Sequence, residues 1–210
     1  MQLLALIPYV LLSVAHCWAA WAHNTRFCSR SKPFLMVLLL AGYCVAAPTV
    51  HPLMILGLCF GFLGDVCLMQ SGQQALLAGL GSFLLGHLCY LALMISRTTF
   101  SAASLGSAAV ACVLYACVAL PLFRALLPSL GAMRMPVIAY LVVILLMAIA
   151  AVGFSVSHGN AYAALGGMLF VLSDAILAWG LFRKPLPAHS FCVMSTYVAA
   201  QCLLCLGQIL

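Results

Sequence analysis

Residues 136–157 read PVIAYLVVILLMAIAAVGFSVS, twenty-two consecutive positions without a charged side chain. At ~1.5 Å per residue a helix of that length spans about 33 Å, enough to cross a hydrocarbon core of ~30 Å. The run is continuous, with none of the apolar–polar alternation that marks a strand of a membrane barrel. Working outward from it, similar runs fall near 3–22, 33–48, 52–69, 75–95, 102–122, 161–182 and 188–209. Hydrophobic residues make up 67% of the 210 positions and charged residues 5%, where a soluble domain carries about 25% charge to wet its surface. The mean hydropathy is +1.26. The chain therefore reads as an all-α, polytopic membrane protein, a bundle of about eight transmembrane helices whose outer solvent is the lipid bilayer. Residues 1–210 form one membrane-embedded domain, with no stretch long and polar enough for a second.

The second run is short. From Pro33 to Pro48 it would span about 24 Å, less than the core. Ala20-Trp21-Ala22 resembles a signal-peptide cleavage site, but no basic residue precedes the apolar run, so residues 3–22 read as a retained first helix. Most of the eleven cysteines lie inside apolar runs and read as small apolar filler, the pair Cys202 and Cys205 included.

Eight spans place alternate loops on one side. Arg26, Arg30, Lys32, Arg124, Arg134, Arg183 and Lys184 then share a side and Arg97 stands alone on the other. Cytoplasmic loops are the ones rich in Lys and Arg, so both termini are expected to be non-cytoplasmic. The net charge of +6 sits in these connections rather than in a basic patch interleaved with aromatics, which argues against a nucleic-acid partner.

Asp174 follows Asp65 by 109 residues, and the same offset matches Gly57 with Gly166, Leu63 with Leu172 and Leu68 with Leu177. Four spans per half suggests two parallel four-helix repeats. Close helix packing is signalled by Gly57 and Gly61 on the third run and by Ala78, Ser82 and Gly86 on the fourth.

Asp65 and Asp174 are the protein's only acidic residues, and both lie within apolar runs. An acid at that depth costs ~2.5–3.5 kcal/mol on insertion scales and normally faces the bundle interior, where it marks function. The structural alternative is a buried ion pair, for example of Asp65 with Lys32. His87 and Tyr90 share a face of the fourth helix, Tyr197, Gln201 and Gln208 form a polar stripe on the last, and Ser173 adjoins Asp174 but points elsewhere. No G-x-S-x-G pattern surrounds Ser173, and the histidines are not at metal-ligand spacing, so neither a nucleophilic serine nor a metal is expected.

Two carboxyls sharing a low-dielectric site do not both ionise readily, so one is the acid and the other the charged group. That division of labour suits an oxocarbenium-like transition state. In a bilayer the substrate would be a lipid, and the lipid bond that breaks through such an ion is the vinyl ether of a plasmalogen.

The segments Gly64–Leu68, His87–Tyr90, Leu169–Asp174 with Ala178-Trp179, and Ser195–Gln201 resemble the YhhN family, which includes membrane lysoplasmalogenases. The Lys32-Pro33 pair fits as well, and the likeness in length and hydropathy covers nearly the whole chain. The resemblance implies an eight-helix bundle that hydrolyses a lysophospholipid carrying a vinyl ether, with Asp65 and Asp174 as the catalytic pair. It implies that Lys32, His87, Tyr90, Ser173, Tyr197 and Gln201 line the substrate site. No organic cofactor is implied. The membrane is a bacterial inner membrane or, in a eukaryote, the endoplasmic reticulum.

Lys32, or Arg183 and Lys184, is the expected holder of the substrate phosphate, and Trp179 or a tyrosine the expected partner of a headgroup ammonium. The competing reading is a proton-coupled transporter using the two aspartates as a relay. A helix broken at Gly166-Gly167 would favour it.

Overall fold

The computed structural model describes residues 2–210. Eight α-helices follow a short 3-10 segment at Gln2–Leu6: α1 Ile7–Trp21, α2 Thr25–Ala46, α3 Pro52–Leu68, α4 Gln73–Arg97, α5 Ala102–Leu126, α6 Arg134–His158, α7 Tyr162–Phe182 and α8 His189–Ile209. The described residues contain no strand. Seven of the helical segments are long and apolar enough to cross a membrane, and α3, at 17 residues, is the shorter eighth. The protein is a multi-pass membrane protein.

Local chemistry explains most of the ends. Asn24 caps α2, accepting a hydrogen bond from the Phe27 amide at 3.1 Å. Pro52 stands in the first turn of α3, where its missing N–H costs nothing. Ser101 and Ser104 form a reciprocal capping box on α5. Gly159 ends α6 in the left-handed conformation, with φ 67°.

Two expectations about length change places. α2 begins at Thr25, eight residues before the apolar run, because the Asn24 cap starts it and its first two turns, TRFCSRSK, are polar. Pro33 therefore lies inside α2, and Lys32 lies about two turns along the helix rather than at its entry. The short span is α3, which places Asp65 within one turn of the helix end.

Packing proceeds mainly between sequence neighbours, with α3 against α4 and α7 against α8 the most intimate pairs, while α6 bridges the halves by packing on α4 and α7. α1 closes the bundle on α8, and the Tyr9 hydroxyl donates to the Val198 carbonyl at 2.6 Å. α5 leans chiefly on α6, and Val113 and Leu120 on it are exposed on the outside of the bundle.

The glycines of α3 are receptacles. A Cβ on Gly57 would lie 2.2 Å from the Tyr90 ring, and one on Gly64 2.7 Å from Phe83. On α4 the buried stripe is Gly79, Phe83, Gly86 and Tyr90; of the expected small residues Gly86 belongs to it, Ala78 is exposed and Ser82 is only partly buried. α7 runs unbroken through Gly166-Gly167, which serve as contact points: Gly167 faces Ala148 of α6, and Gly166 faces the α8 backbone.

The helix bounds respect the 109-residue offset. α2 and α6 correspond within a few residues at each end, as do α3 and α7, and α4 falls on α8. Short connections reverse the chain each time, so α3 and α7 run the same way and carry their aspartates toward the same end of the bundle.

A Cβ on Gly166 would sit 2.9 Å from the Leu204 amide nitrogen and 3.0 Å from the Ala200 carbonyl, both backbone atoms that cannot swing away. Gly166→Ala should therefore force α7 and α8 apart at a cost of ~1–3 kcal/mol. Gly81→Ala, where a Cβ meets nothing within 4 Å, should be neutral or slightly stabilising. Thermal unfolding in one detergent distinguishes the two; equal midpoints would contradict this helix contact.

Candidate functional site

Asp65 is 2% exposed, and two groups from two other helices converge on it. The Lys32 ammonium of α2 lies 3.2 Å from Oδ1, and the Tyr197 hydroxyl of α8 donates to Oδ2 at 2.8 Å. Behind Tyr197, the Gln201 amide donates to the Tyr197 oxygen at 3.5 Å, and the Tyr90 hydroxyl of α4 donates to the Gln201 carbonyl at 2.9 Å. The Gly61 position leaves room for this: a Cβ there would press on Gln201 at 3.2 Å. Tyr197 and Gln201 stand one turn apart on α8, so a single helix face supplies both.

Asp174 has a different cradle. The Tyr140 hydroxyl of α6 donates to its Oδ2, and His87 Nε2 of α4 lies 3.0 Å from the Tyr140 oxygen and 4.0 Å from the carboxylate. Since the phenolic hydrogen goes to Asp174, His87 Nε2 is the donor to Tyr140, which leaves Nδ1 buried without a partner. His87 also packs edge-on against Phe170 at 4.5 Å between ring centroids, and Phe170 meets Tyr197 at 5.5 Å. The two acid cradles are thus joined through an aromatic chain, Tyr197–Phe170–His87–Tyr140. Among the described residues no hydrogen bond links the carboxylates directly.

Exposure separates the acids. The Asp65 side chain is 3% exposed and the Asp174 side chain 18%. What Asp174 meets is a cavity of about 840 Å³ between α4, α5, α6 and α7, walled by hydrocarbon apart from Ser107, Tyr115, Tyr140 and Asp174 itself. Its lining on α7 runs from Met168 to Phe182, about 21 Å at ~1.5 Å per residue, longer than the ~15 Å of one leaflet. A second cavity of about 240 Å³ lies between α1, α2, α7 and α8, and Lys32 is on its wall. Leu177, one turn beyond Asp174, lines both.

The sequence is matched by the YhhN family over residues 27–208. The chain belongs to the YhhN family. Among curated proteins it is similar to lysoplasmalogenase TMEM86B of Mus musculus, 33% identical over 147 residues, which is 70% of this chain and 59% of the mouse protein. The Rattus norvegicus protein of the same name is 32% identical over 148 residues, 70% of this chain and 57% of its own. The Homo sapiens protein is 48% identical over a shorter stretch of 44 residues, 21% of this chain and 20% of the relative. The matched part is thus less than two thirds of the length of these relatives. No solved structure matches the chain.

Of the residues singled out in the sequence, Lys32, Asp65, Tyr90, Tyr197 and Gln201 form one connected network, and His87 with Asp174 forms the other. Ser173 stands apart, its hydroxyl donating to the Val193 carbonyl at 3.0 Å and tying α7 to α8. Gln208 accepts from Arg97 at 2.7 Å, near the opposite end of the bundle. Arg183 donates to the Ala125 carbonyl at the end of α5, and Trp179 lines neither cavity. Tyr140 is the group sequence reasoning missed. Its signal was present, a single phenol in the first turns of the most apolar run, with no polar side chain beside it until Ser155.

The Lys32–Asp65 pair is buried enough that removing one partner strands the other. Lys32→Met should cost ~3–5 kcal/mol by leaving the carboxylate uncompensated. Adding Asp65→Asn to that variant should recover most of the loss, since the amide needs no cation. Thermal unfolding of the two single variants and the double variant reads the coupling; additive losses would mean that the ion pair does not form.

Proposed function

We propose that this protein is a lysoplasmalogenase, cleaving the vinyl ether of a lysoplasmalogen to a fatty aldehyde and a glycerophospho-headgroup. The observation that carries this reading is the position of Asp174. It is a carboxyl set in the wall of a long hydrocarbon-lined cavity, one helical turn from the Leu177 boundary with the chamber that holds Lys32. The family and the names of the relatives support the same reading.

In this mechanism the alkenyl chain occupies the 840 Å³ cavity and brings its double bond to Asp174. Asp174, with no lysine or arginine in contact, is the proton donor to the alkenyl carbon that becomes the α-carbon of the aldehyde. The oxocarbenium ion formed is attacked by water, and the hemiacetal collapses to aldehyde and glycerol hydroxyl. Tyr140 and His87 hold the donor in place. Asp65, the carboxylate paired with Lys32, is the second acid of the pair and stabilises the developing cation through the site's low dielectric. Lys32, Tyr90, Tyr197 and Gln201 position it. A hydrocarbon-walled chamber suits an alkenyl chain and gives no polar path to an ion, which favours this reading over a proton-coupled transporter. The loop charges orient the bundle with both termini away from the cytoplasm.

Asp174→Asn and Asp65→Asn should each lower kcat at least ~100-fold while the protein still inserts, because the amide keeps the shape and loses the proton and the charge. In heavy water the aldehyde should carry one deuterium beside the carbonyl, above exchange in a no-enzyme control, and the saturated-ether and ester analogues should not react. Efficient ester hydrolysis, or aldehyde without enzyme-dependent deuterium, would overturn the mechanism. A reporter fused after Leu210 should be active on the non-cytoplasmic side; activity confined to the cytoplasm would reverse the topology.

A further inference from the structure

The 240 Å³ cavity is formed where the C-terminal turn of α1, the N-terminal turns of α2, the last turns of α7 and the start of α8 meet. Its polar wall is made by His16, Cys28, Ser29, Lys32, His189 and Ser190. No carboxylate lies on that wall, and Asp65, which touches Lys32, is itself buried behind it. A chamber with one ammonium, several hydroxyl and imidazole groups and no acid selects for an anion.

Its groups have capacity to spare. The Lys32 ammonium has three hydrogens, and the protein uses it only on Asp65, at 3.2 Å. The Lys32 side chain is 21% exposed, and what it faces is this cavity. His16 is 2% exposed, and Ser31, whose hydroxyl donates to the Phe27 carbonyl at 2.8 Å, accepts from His16 Nδ1 at 2.7 Å. Nε2 is therefore the His16 ring nitrogen left without a protein partner, an acceptor for a hydroxyl in the cavity. α8 starts without a side-chain cap, which leaves N–H groups of its first turn, Ser190 among them, for an anion. The His189 ring is seated on Gly180, where a Cβ would come within 2.2 Å of it.

We propose that this cavity is the phosphate subsite, taking the phosphate ester of the glycerophospho-headgroup on Lys32, Ser190 and the α8 N-terminus, with His16 Nε2 accepting from a hydroxyl of the glycerol. This rests on the lysoplasmalogenase reading for the source of the phosphate, and not for the anion chemistry. Its volume is that of about eight waters at ~30 Å³ each, on the scale of a polar headgroup and far smaller than the neighbouring chain cavity. Neither Arg183 nor Lys184 lines this cavity, which leaves Lys32 as its cation.

The test has a binding arm that needs no turnover. Phosphorus NMR of sn-glycero-3-phosphoethanolamine with purified wild-type protein in detergent should show saturable line broadening. Inorganic phosphate should compete weakly, and ethanolamine with glycerol should not compete at all. Ser190→Asp, which places a carboxylate on the cavity wall, should abolish the broadening, whereas Arg134→Ala, a charge control on α6, should leave it intact. If inorganic phosphate binds as well as the glycerophospho compound, the site is one for free phosphate and the headgroup assignment is overturned. Binding that survives Ser190→Asp, or no binding by wild type, overturns the subsite. In the kinetic arm, Ser190→Asp should raise KM for lysoplasmalogen about tenfold or more with kcat little changed. It should not alter turnover of a 1-alkenylglycerol, which lacks the phosphate. Binding without any vinyl-ether turnover by wild type would remove the proposed activity and leave the anion site standing. Turnover with KM indifferent to Ser190→Asp would do the reverse.

Discussion

A carboxylate buried in a protein that lipid surrounds has no solvent to fall back on, and the bundle is arranged to answer that constraint at Asp65. Taking an ion out of water costs several kcal/mol even after relaxation, so its partners must be near and correctly aimed. Here they come from α2 and α8, with α4 supporting through Tyr90, which donates to Gln201 of α8. For those side chains to reach, α3 must be slim, and its Gly57, Gly61 and Gly64 take the Tyr90 ring, the Gln201 amide and the Phe83 ring respectively. The close packing of α3 and the coordination of its acid are therefore one design.

The same reasoning explains what was legible in the sequence. Continuous apolar runs report the number of spans directly, because lipid tolerates no unsatisfied backbone and leaves helices as the economical solution. Two acids in such runs stand out for the same reason. Helix starts were less legible: α2 begins in the polar stretch TRFCSRSK, since a capping asparagine starts a helix irrespective of hydropathy, and Lys32 moved inward as a result. Tyr140 was hidden because a tyrosine in an apolar run is equally at home as a packing residue. Only the approach of α6 to α4 and α7, a tertiary fact, turns its hydroxyl toward His87 and Asp174. His16 and His189, far apart in sequence, meet at one cavity for the same kind of reason: α1 closes on α8.

The division between the two cavities follows from which helices separate. α5 leans on α6 and leaves a wide apolar gap toward α4 and α7, whereas α1, α2 and α8 approach closely and leave a small one with polar walls. A single-chain lipid is itself a long apolar part joined to a small polar part, and its scissile ether lies at the junction. In the proposed mode of binding Leu177, which lines both cavities, stands at that junction, and Asp174 precedes it by one turn on the same helix.

The halves of the bundle also show how two like acids become unlike. Asp65 of α3 is held by the preceding helix, through Lys32 of α2, and by Tyr197 of α8. Asp174 of α7 is held by its preceding helix, through Tyr140 of α6, and by His87 of α4. In the 109-residue register α2 answers to α6 and α4 to α8, and Lys32 and His87 fall one residue from Tyr140 and Tyr197 respectively. The scaffold thus presents each carboxyl to two corresponding helices, at positions one residue apart in the register, and differs in what those positions carry. One acid receives an ammonium and a phenol, the other a phenol and an imidazole. The ammonium provides a full countercharge, which suits a group that must remain a carboxylate. A phenol and an imidazole beside a hydrocarbon cavity supply hydrogen bonds without fixing that charge, which in the proposed mechanism suits the group that gives its proton away. In the proposed mechanism, the asymmetry between the two aspartates is then a matter of two side chains on helices, α2 to α4 and α6 to α8, that share one register.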